Sequence, residues 1–155
     1  LHLIEGGLPN RLWQMIEDNF RPFAALEFEN ICREWALWRA QRHQLSVAPD
    51  NIGSHWSKNV QIDIVAINWR DRQILLGECK WGDRPLSRRV VTELIESKTP
   101  KLLRELPDGS EGWDVHYAFF ARHSFTDAAQ VEAERHRATL RTLAEIEQEL
   151  SDRSE

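Results

Sequence analysis

The chain has 155 residues, a length that fits one domain with a substantial core. A hydrophobic content of 41% with 29% charged residues is ordinary for a soluble globular protein. No apolar run approaches the roughly 18–20 residues that span a bilayer, and no signal peptide is visible, so no membrane partner is expected. The net charge of −5 argues against a surface coated for nucleic acid as a whole. Two cysteines, neither in a C-x-x-C pair, and six histidines without metal-ligand spacing argue against a zinc site and for a reducing, cytoplasmic setting. A glycine-rich phosphate loop is missing from the sequence, so ATP hydrolysis by this stretch alone is not expected. A start at Leu1, with Met15 the one methionine, suggests a piece of a longer protein.

In chain order, residues 10–20 read as a short helix with Leu12, Trp13 and Ile16 on one side, interrupted at Arg21-Pro22. A long helix follows from about Phe23 to His43. Phe28, Ile31, Cys32 and Trp35 keep the i, i+3, i+4, i+7 spacing of a core-facing stripe, and Glu29 lies at its edge. Pro49 to Gly53 mark a loop, flanked by a first strand near 45–47 or 55–57. Residues 61–81, QIDIVAINWRDRQILLGECKW, read as two strands joined by a tight turn. Residues 86–97 form a helix with Val90, Val91, Leu94 and Ile95 inward; 113–121 form a strand. Ser124-Phe125-Thr126-Asp127 resembles a capping box for a helix to about Arg137. A short strand at 139–143 precedes a terminal acidic helix. This order fits an α/β fold with a mixed central sheet and helices on both faces. Seven tryptophans read chiefly as packing residues, with base stacking the alternative.

Within the hairpin, side chains alternate across each strand. Glu78 and Lys80 share a face with Ile74 and Leu76; Asp63 shares one with Val65 and Ile67. A symmetric antiparallel register about Arg70-Asp71 pairs Ile67 with Ile74, Val65 with Leu76 and Asp63 with Glu78. That register requires a loop of even length, of two or four residues. Directly opposed residues have Cβ atoms roughly 4.5–5.5 Å apart. Two bare carboxylates so close repel, and a hard divalent cation between them removes the conflict. Lys80 stands roughly 6.5–7 Å further along the same face. The competing arrangement is a buried salt bridge without metal, in which Lys80 neutralises one carboxylate.

The pattern D-x(14)-E-x-K, with an acidic residue on the preceding helix, resembles the core of the PD-(D/E)xK nucleases. The segments LIEGG, FENICREW, QIDIVAIN, GECKW and YAFFARHSFTD, in that order, are similar to the C-terminal domain of the archaeal-type P-loop ATPase family. The likeness runs from about Leu3 to about Leu150. Ile62 stands where the superfamily name has proline, and Gln61 where a further acid is frequent. The resemblance implies a restriction-endonuclease-like core over residues 23–150. Residues 1–22 would be a helical lead-in from an upstream ATPase and winged helix of the same chain. It implies Mg²⁺ or Mn²⁺ held by Asp63, Glu78 and the Cys79 backbone carbonyl, with Glu29 binding through water or a second ion. Lys80 would assist the attacking water, and DNA would be the substrate. The alternative is a catalytically silent DNA-binding or regulatory module of that ATPase. Homo-oligomerisation is left open.

Six basic residues against two acidic ones lie between Arg84 and Arg104. Arg84, Arg88, Arg89, Lys98 and Lys101 are therefore candidate contacts to a nucleic-acid backbone, or else a solvated helix face. Residues 127–155 carry eight acids against four arginines. His55 lies close before the hairpin and reads as structural or peripheral.

Overall fold

A computed structural model describes residues 10–107 and 109–152. The LIEGG segment, Asp108 and residues 153–155 lie outside the described residues, as do the side chains of Leu12, Trp13 and Ile16. Helix α1 (Asn10–Gln41) is followed by strands β1 (Asn51–Trp56), β2 (Gln61–Asn68) and β3 (Gln73–Lys80). Then come α2 (Arg88–Thr92), a π-helical turn (Glu93–Lys98) and α3 (Thr99–Glu105). Strand β4 (Asp114–Ala121), α4 (Asp127–Arg135), β5 (Thr139–Thr142) and α5 (Leu143–Ser151) complete the chain. The five strands lie in sequence order, with β1–β2–β3 antiparallel and β3–β4–β5 parallel.

Alternating side chains divide the core in two. Leu75, Ala118 and Phe120 pack with Phe28, Cys32 and Trp35 of α1 and Ile146 of α5. Ile74, Leu76 and Phe119 pack with Val91, Leu94, Leu102 and Ala129. The sheet is thus covered on both faces, which explains why β2 and β3 read as nearly continuous apolar runs. The Trp35 indole N–H donates to Glu149 at 2.9 Å, and Arg141 meets the same carboxylate at 2.6 Å, tying α1, β5 and α5 together.

Four expectations are corrected. Helix α1 continues through Arg21-Pro22 for 32 residues. Proline removes one helical hydrogen bond, but Asp18 and Pro22 are both exposed, so the freed carbonyl can meet water. The middle helical run extends beyond Ser97 to Glu105, past Pro100, by widening into the π turn. The proline ring would crowd the carbonyl four residues back. A wider turn relieves this, and Thr99 Oγ1 donates to the Leu94 carbonyl at 2.7 Å. Helix α4 is capped by Thr126, which accepts from the Ala129 N–H; the capping box belongs to Thr142 and Glu145 of α5. The first strand spans Asn51–Trp56: it overlaps the second expected position at His55 and Trp56 and begins earlier, taking in Asn51 to Gly53, which the sequence marks as loop.

Gly77 sits mid-strand in β3, opposite Ile64 and beside Ala118. A Cβ there would come within 3.1 Å of Ile64 Cβ and 3.2 Å of the Ala118 carbonyl oxygen. Both neighbours belong to the central sheet and have little room to yield. Gly77→Ala is therefore expected to destabilise the fold by about 1–3 kcal/mol, read from urea unfolding midpoints. An unchanged midpoint would show that the strands can spread there.

Candidate active site

The β2–β3 register runs from Asn68↔Gln73 to Ile64↔Gly77, with Val65 opposite Leu76 and Ile67 opposite Ile74, as the sequence indicates. A four-residue loop, 69–72, closes it, and Asn68 Oδ1 accepts the Asp71 N–H at 2.9 Å. One step further the same register sets Asp63 against Glu78, but the paired ladder stops at Ile64↔Gly77. The Asp63 carboxylate instead accepts the Cys79 N–H at 2.9 Å. A strand residue directs its N–H and C=O to the same edge, so the Cys79 carbonyl also turns towards β2.

Strict alternation fails at Asp63. On the β1 side the register shifts between Gly53↔Val65 and His55↔Ile62, so Ser54 alone opposes both Asp63 and Ile64. This is a β-bulge, which re-aims side chains. Its effect is visible next door, where Ile62 and Ile64, two residues apart, enter opposite core layers.

Asp63 thereby meets carboxylates from both faces of the sheet. Glu29 approaches it from α1 and Glu78 from β3, each close enough for the Asp63 charge to act on it. Glu78 is 3% exposed; burial first, and then the Asp63 charge, push its carboxyl up to about 7. Lys98 opposes this shift by donating from Nζ to Glu78 Oε1 at 2.8 Å. Burial and Asp63 also raise Glu29, against the pull of Arg33 and Lys80. Arg33, one turn after Glu29, donates to the Asp63 carbonyl at 2.9 Å. Cys79 and Cys32 are buried free thiols; burial and their mutual contact push Cys79 well above the usual thiol range.

Of the residues singled out in the sequence, Glu29, Asp63, Glu78 and Lys80 gather at one end of the sheet. Lys80 is exposed and makes no ion pair or hydrogen bond through its ammonium group among the described residues; its charge acts on Glu29. The buried salt bridge expected with Lys80 is made by Lys98 instead. Arg88 pairs with Glu132 at 3.3 Å, while Arg84, Arg89 and Lys101 are exposed. Sequence reasoning missed Arg33, which the i+4 spacing from Glu29 could have flagged, and the role of Lys98, which only the π turn reveals.

Whether these groups suit a divalent cation depends on their chemistry. Among the described residues no three His, Cys, Asp or Glu side chains converge as a ready cage. Glu29 and Glu78 both feel the Asp63 charge, a repulsion that a cation would relieve. Asp63, Glu78 and the Cys79 carbonyl form a hard oxygen donor set, and magnesium commonly takes only one or two protein carboxylates, keeping waters. The donor set fits such an ion.

These features define an α/β protein with a carboxyl–lysine cluster where a bulged hairpin meets a parallel sheet. The model of the DUF234 family, archaeal and bacterial proteins of unknown function, matches residues 1–94, and the chain belongs to that family. The match includes Glu29, Asp63, Glu78 and Lys80 and ends before Lys98. No curated protein and no solved structure matches the chain. No helix among the described residues is long and apolar enough to cross a membrane.

The raised Glu78 carboxyl has a defined pH signature. The folded protein holds this proton more tightly than the unfolded chain does. The associated stability is full below about 4.5 and is lost as pH rises through about 7. Glu78→Gln cannot titrate, so its stability relative to wild type should improve steadily from pH 4.5 to 8. Urea unfolding in EDTA at several pH values measures this; a pH-independent difference would contradict the assignment.

Proposed function

We propose that this chain is a PD-(D/E)xK-type phosphodiesterase domain that hydrolyses DNA with Mg²⁺ or Mn²⁺. The observation that carries the reading is the set of carboxyls Glu29, Asp63 and Glu78, driven against one another at a bulged strand end beside a free lysine. Asp63, Glu78 and the Cys79 carbonyl would hold the ion, and Glu29 would bind through water. The ion, when bound, lowers the pKa of a coordinated water and stabilises charge on the scissile phosphate. Asp63 is fixed by the Cys79 N–H, so its remaining oxygen is presented without conformational search. Lys80, exposed and without an ion pair among the described residues, would orient the attacking water and share its proton. By the resemblance noted above, a P-loop ATPase and a winged helix would precede the domain in a cytoplasmic protein.

A second reading has its own observation. Lys98 already supplies a positive charge to Glu78 at 2.8 Å, which lessens the need for a metal. On that reading the nuclease-like frame is retained as a silent DNA-binding or regulatory module.

Calorimetry with Mn²⁺ and cleavage of plasmid and branched DNA separate the two. Under the first reading, Asp63→Ala loses both the binding heat and cleavage. Lys80→Ala keeps the heat but slows cleavage at least about 100-fold. A folded wild type with neither heat nor cleavage leaves the silent module.

A further inference from the structure

The turn joining β1 to β2 is held in an unusual way. His55 near the end of β1 and two residues of the turn converge on one carboxylate, Glu105, the last residue of α3. His55 Nε2 lies 2.6 Å from Oε2, Ser57 Oγ donates to Oε1 at 2.9 Å, and Asn59 Nδ2 donates to Oε1 at 3.2 Å. The hydrogen bonds from His55 and then Ser57 hold the Glu105 carboxyl below its ordinary range. Ser57 also closes the turn on itself, accepting the Asn59 and Val60 N–H groups at 3.2 Å. This bracing sets Lys58 across from Lys101 and Arg104 around an open hollow of about 540 Å³. All three cations are exposed, and none makes an ion pair or hydrogen bond through its side chain with another described residue. Three like charges lining one hollow, against the single Glu105 carboxylate in its wall, repel one another, and a bound polyanion would relieve that repulsion.

The hollow is also placed relative to the carboxyl cluster. Lys98, Lys101 and Arg104 follow one another at three-residue steps through the end of the π turn and α3. Lys98 is committed to Glu78, and Arg104 lies about 9 Å further along the helix by its rise per residue. The turn itself lies between Trp56 and Gln61, at the end of the sheet that carries Asp63. Trp56, in the strand that enters this turn, is 78% exposed, against the packing role expected of the tryptophans. Its neighbours His55 and Ser57 both reach Glu105, so by strand alternation its indole projects to the other face, and the cations alone line the hollow. Uncommitted cations around one hollow are what a nucleic-acid backbone requires.

We infer that the hollow between the β1–β2 turn and α3 seats a nucleic-acid phosphodiester backbone through Lys58, Lys101 and Arg104. The inference rests on the phosphodiester reading for its choice of ligand. It places the main backbone contact at this corner rather than at Arg84 and Arg89. Glu105 is a positioning residue here: it holds the turn from the wall of the same hollow.

The test is fluorescence anisotropy of labelled single-stranded oligonucleotides on the 155-residue chain in EDTA, across a salt series. Lys58→Glu/Lys101→Glu is expected to weaken binding at least about tenfold at low salt and to reduce the salt slope by about 1.4. Arg84→Glu/Arg89→Glu is expected to leave affinity within about twofold. Lys58→Gln/Lys101→Gln gives the same slope change should the charge reversal disturb folding. Wild-type-like binding by the lysine variants, a greater loss in the arginine variant, or no binding by wild type overturns the inference. Cleavage without a change in the lysine variants would sink the inference alone. Binding lost in those variants, with no cleavage by wild type, would sink only the hydrolase.

Discussion

The structure turns on one hydrogen bond, from the Cys79 N–H to the Asp63 carboxylate. The β2–β3 register would continue one pair further, since Asp63 faces Glu78 by the spacing that pairs Ile64 with Gly77. A side-chain oxygen takes the place of a main-chain carbonyl, and the ladder ends there. The buried N–H stays satisfied, which a protein interior demands. The carboxylate is also fixed at the point where both layers of the fold come within reach. From one face α1 brings Glu29 and Arg33; from the other the π turn brings Lys98 to Glu78. The bulge opposite Ser54 makes this reach possible, because a residue obeying strict alternation would address one layer only.

Placing Glu78 at 3% exposure beside another carboxylate is costly, and the fold offsets the cost locally. Burial and the Asp63 charge favour the protonated acid, while Lys98 favours the ionised one. Lys98 is the last residue of the π turn, two residues before Pro100, and it is Lys98 rather than Lys80 that neutralises the buried glutamate. Lys80 stays exposed, its ammonium group without a hydrogen bond among the described residues.

The hairpin was legible because its information is local. A period of two and an even loop fix the register of β2 on β3 without knowledge of the rest of the chain, and the 69–72 loop obeys it. Glu29 was legible for a related reason, standing at the edge of a stripe whose residues Phe28, Cys32 and Trp35 are all buried. What escaped depends on partners distant in sequence. The bulge exists only against β1. The Glu78–Lys98 pair spans 20 residues, and the three bonds to Glu105 span 46 to 50. Pro22 misled for a different reason: proline's penalty is real, yet an exposed position lets water take over the lost partner. The cap was misassigned because Ser124 and Thr126 are both good capping residues. The chain uses the second, since the Ser124 carbonyl is engaged with the Leu86 N–H.

Net charge is a poor guide to what such a molecule binds. The acids that make the chain −5 are concentrated after Asp127, and two of them are spent internally. Glu132 accepts Arg88 and Arg135, and Glu149 accepts Arg141 and lies 3.6 Å from Arg39. Charges in solution act over about 10 Å at moderate salt, and these acids are already paired with arginines, so they add little to the field at the end of the sheet that carries Asp63. At that end the uncommitted side chains of Lys58, Lys80, Lys101 and Arg104 are positive, while the carboxyls Glu29, Asp63 and Glu78 stand within the sheet's edge. A negative centre with a positive surround suits a ligand that is itself an anion bridged by a cation. A surface uniformly of either sign would repel one of the two.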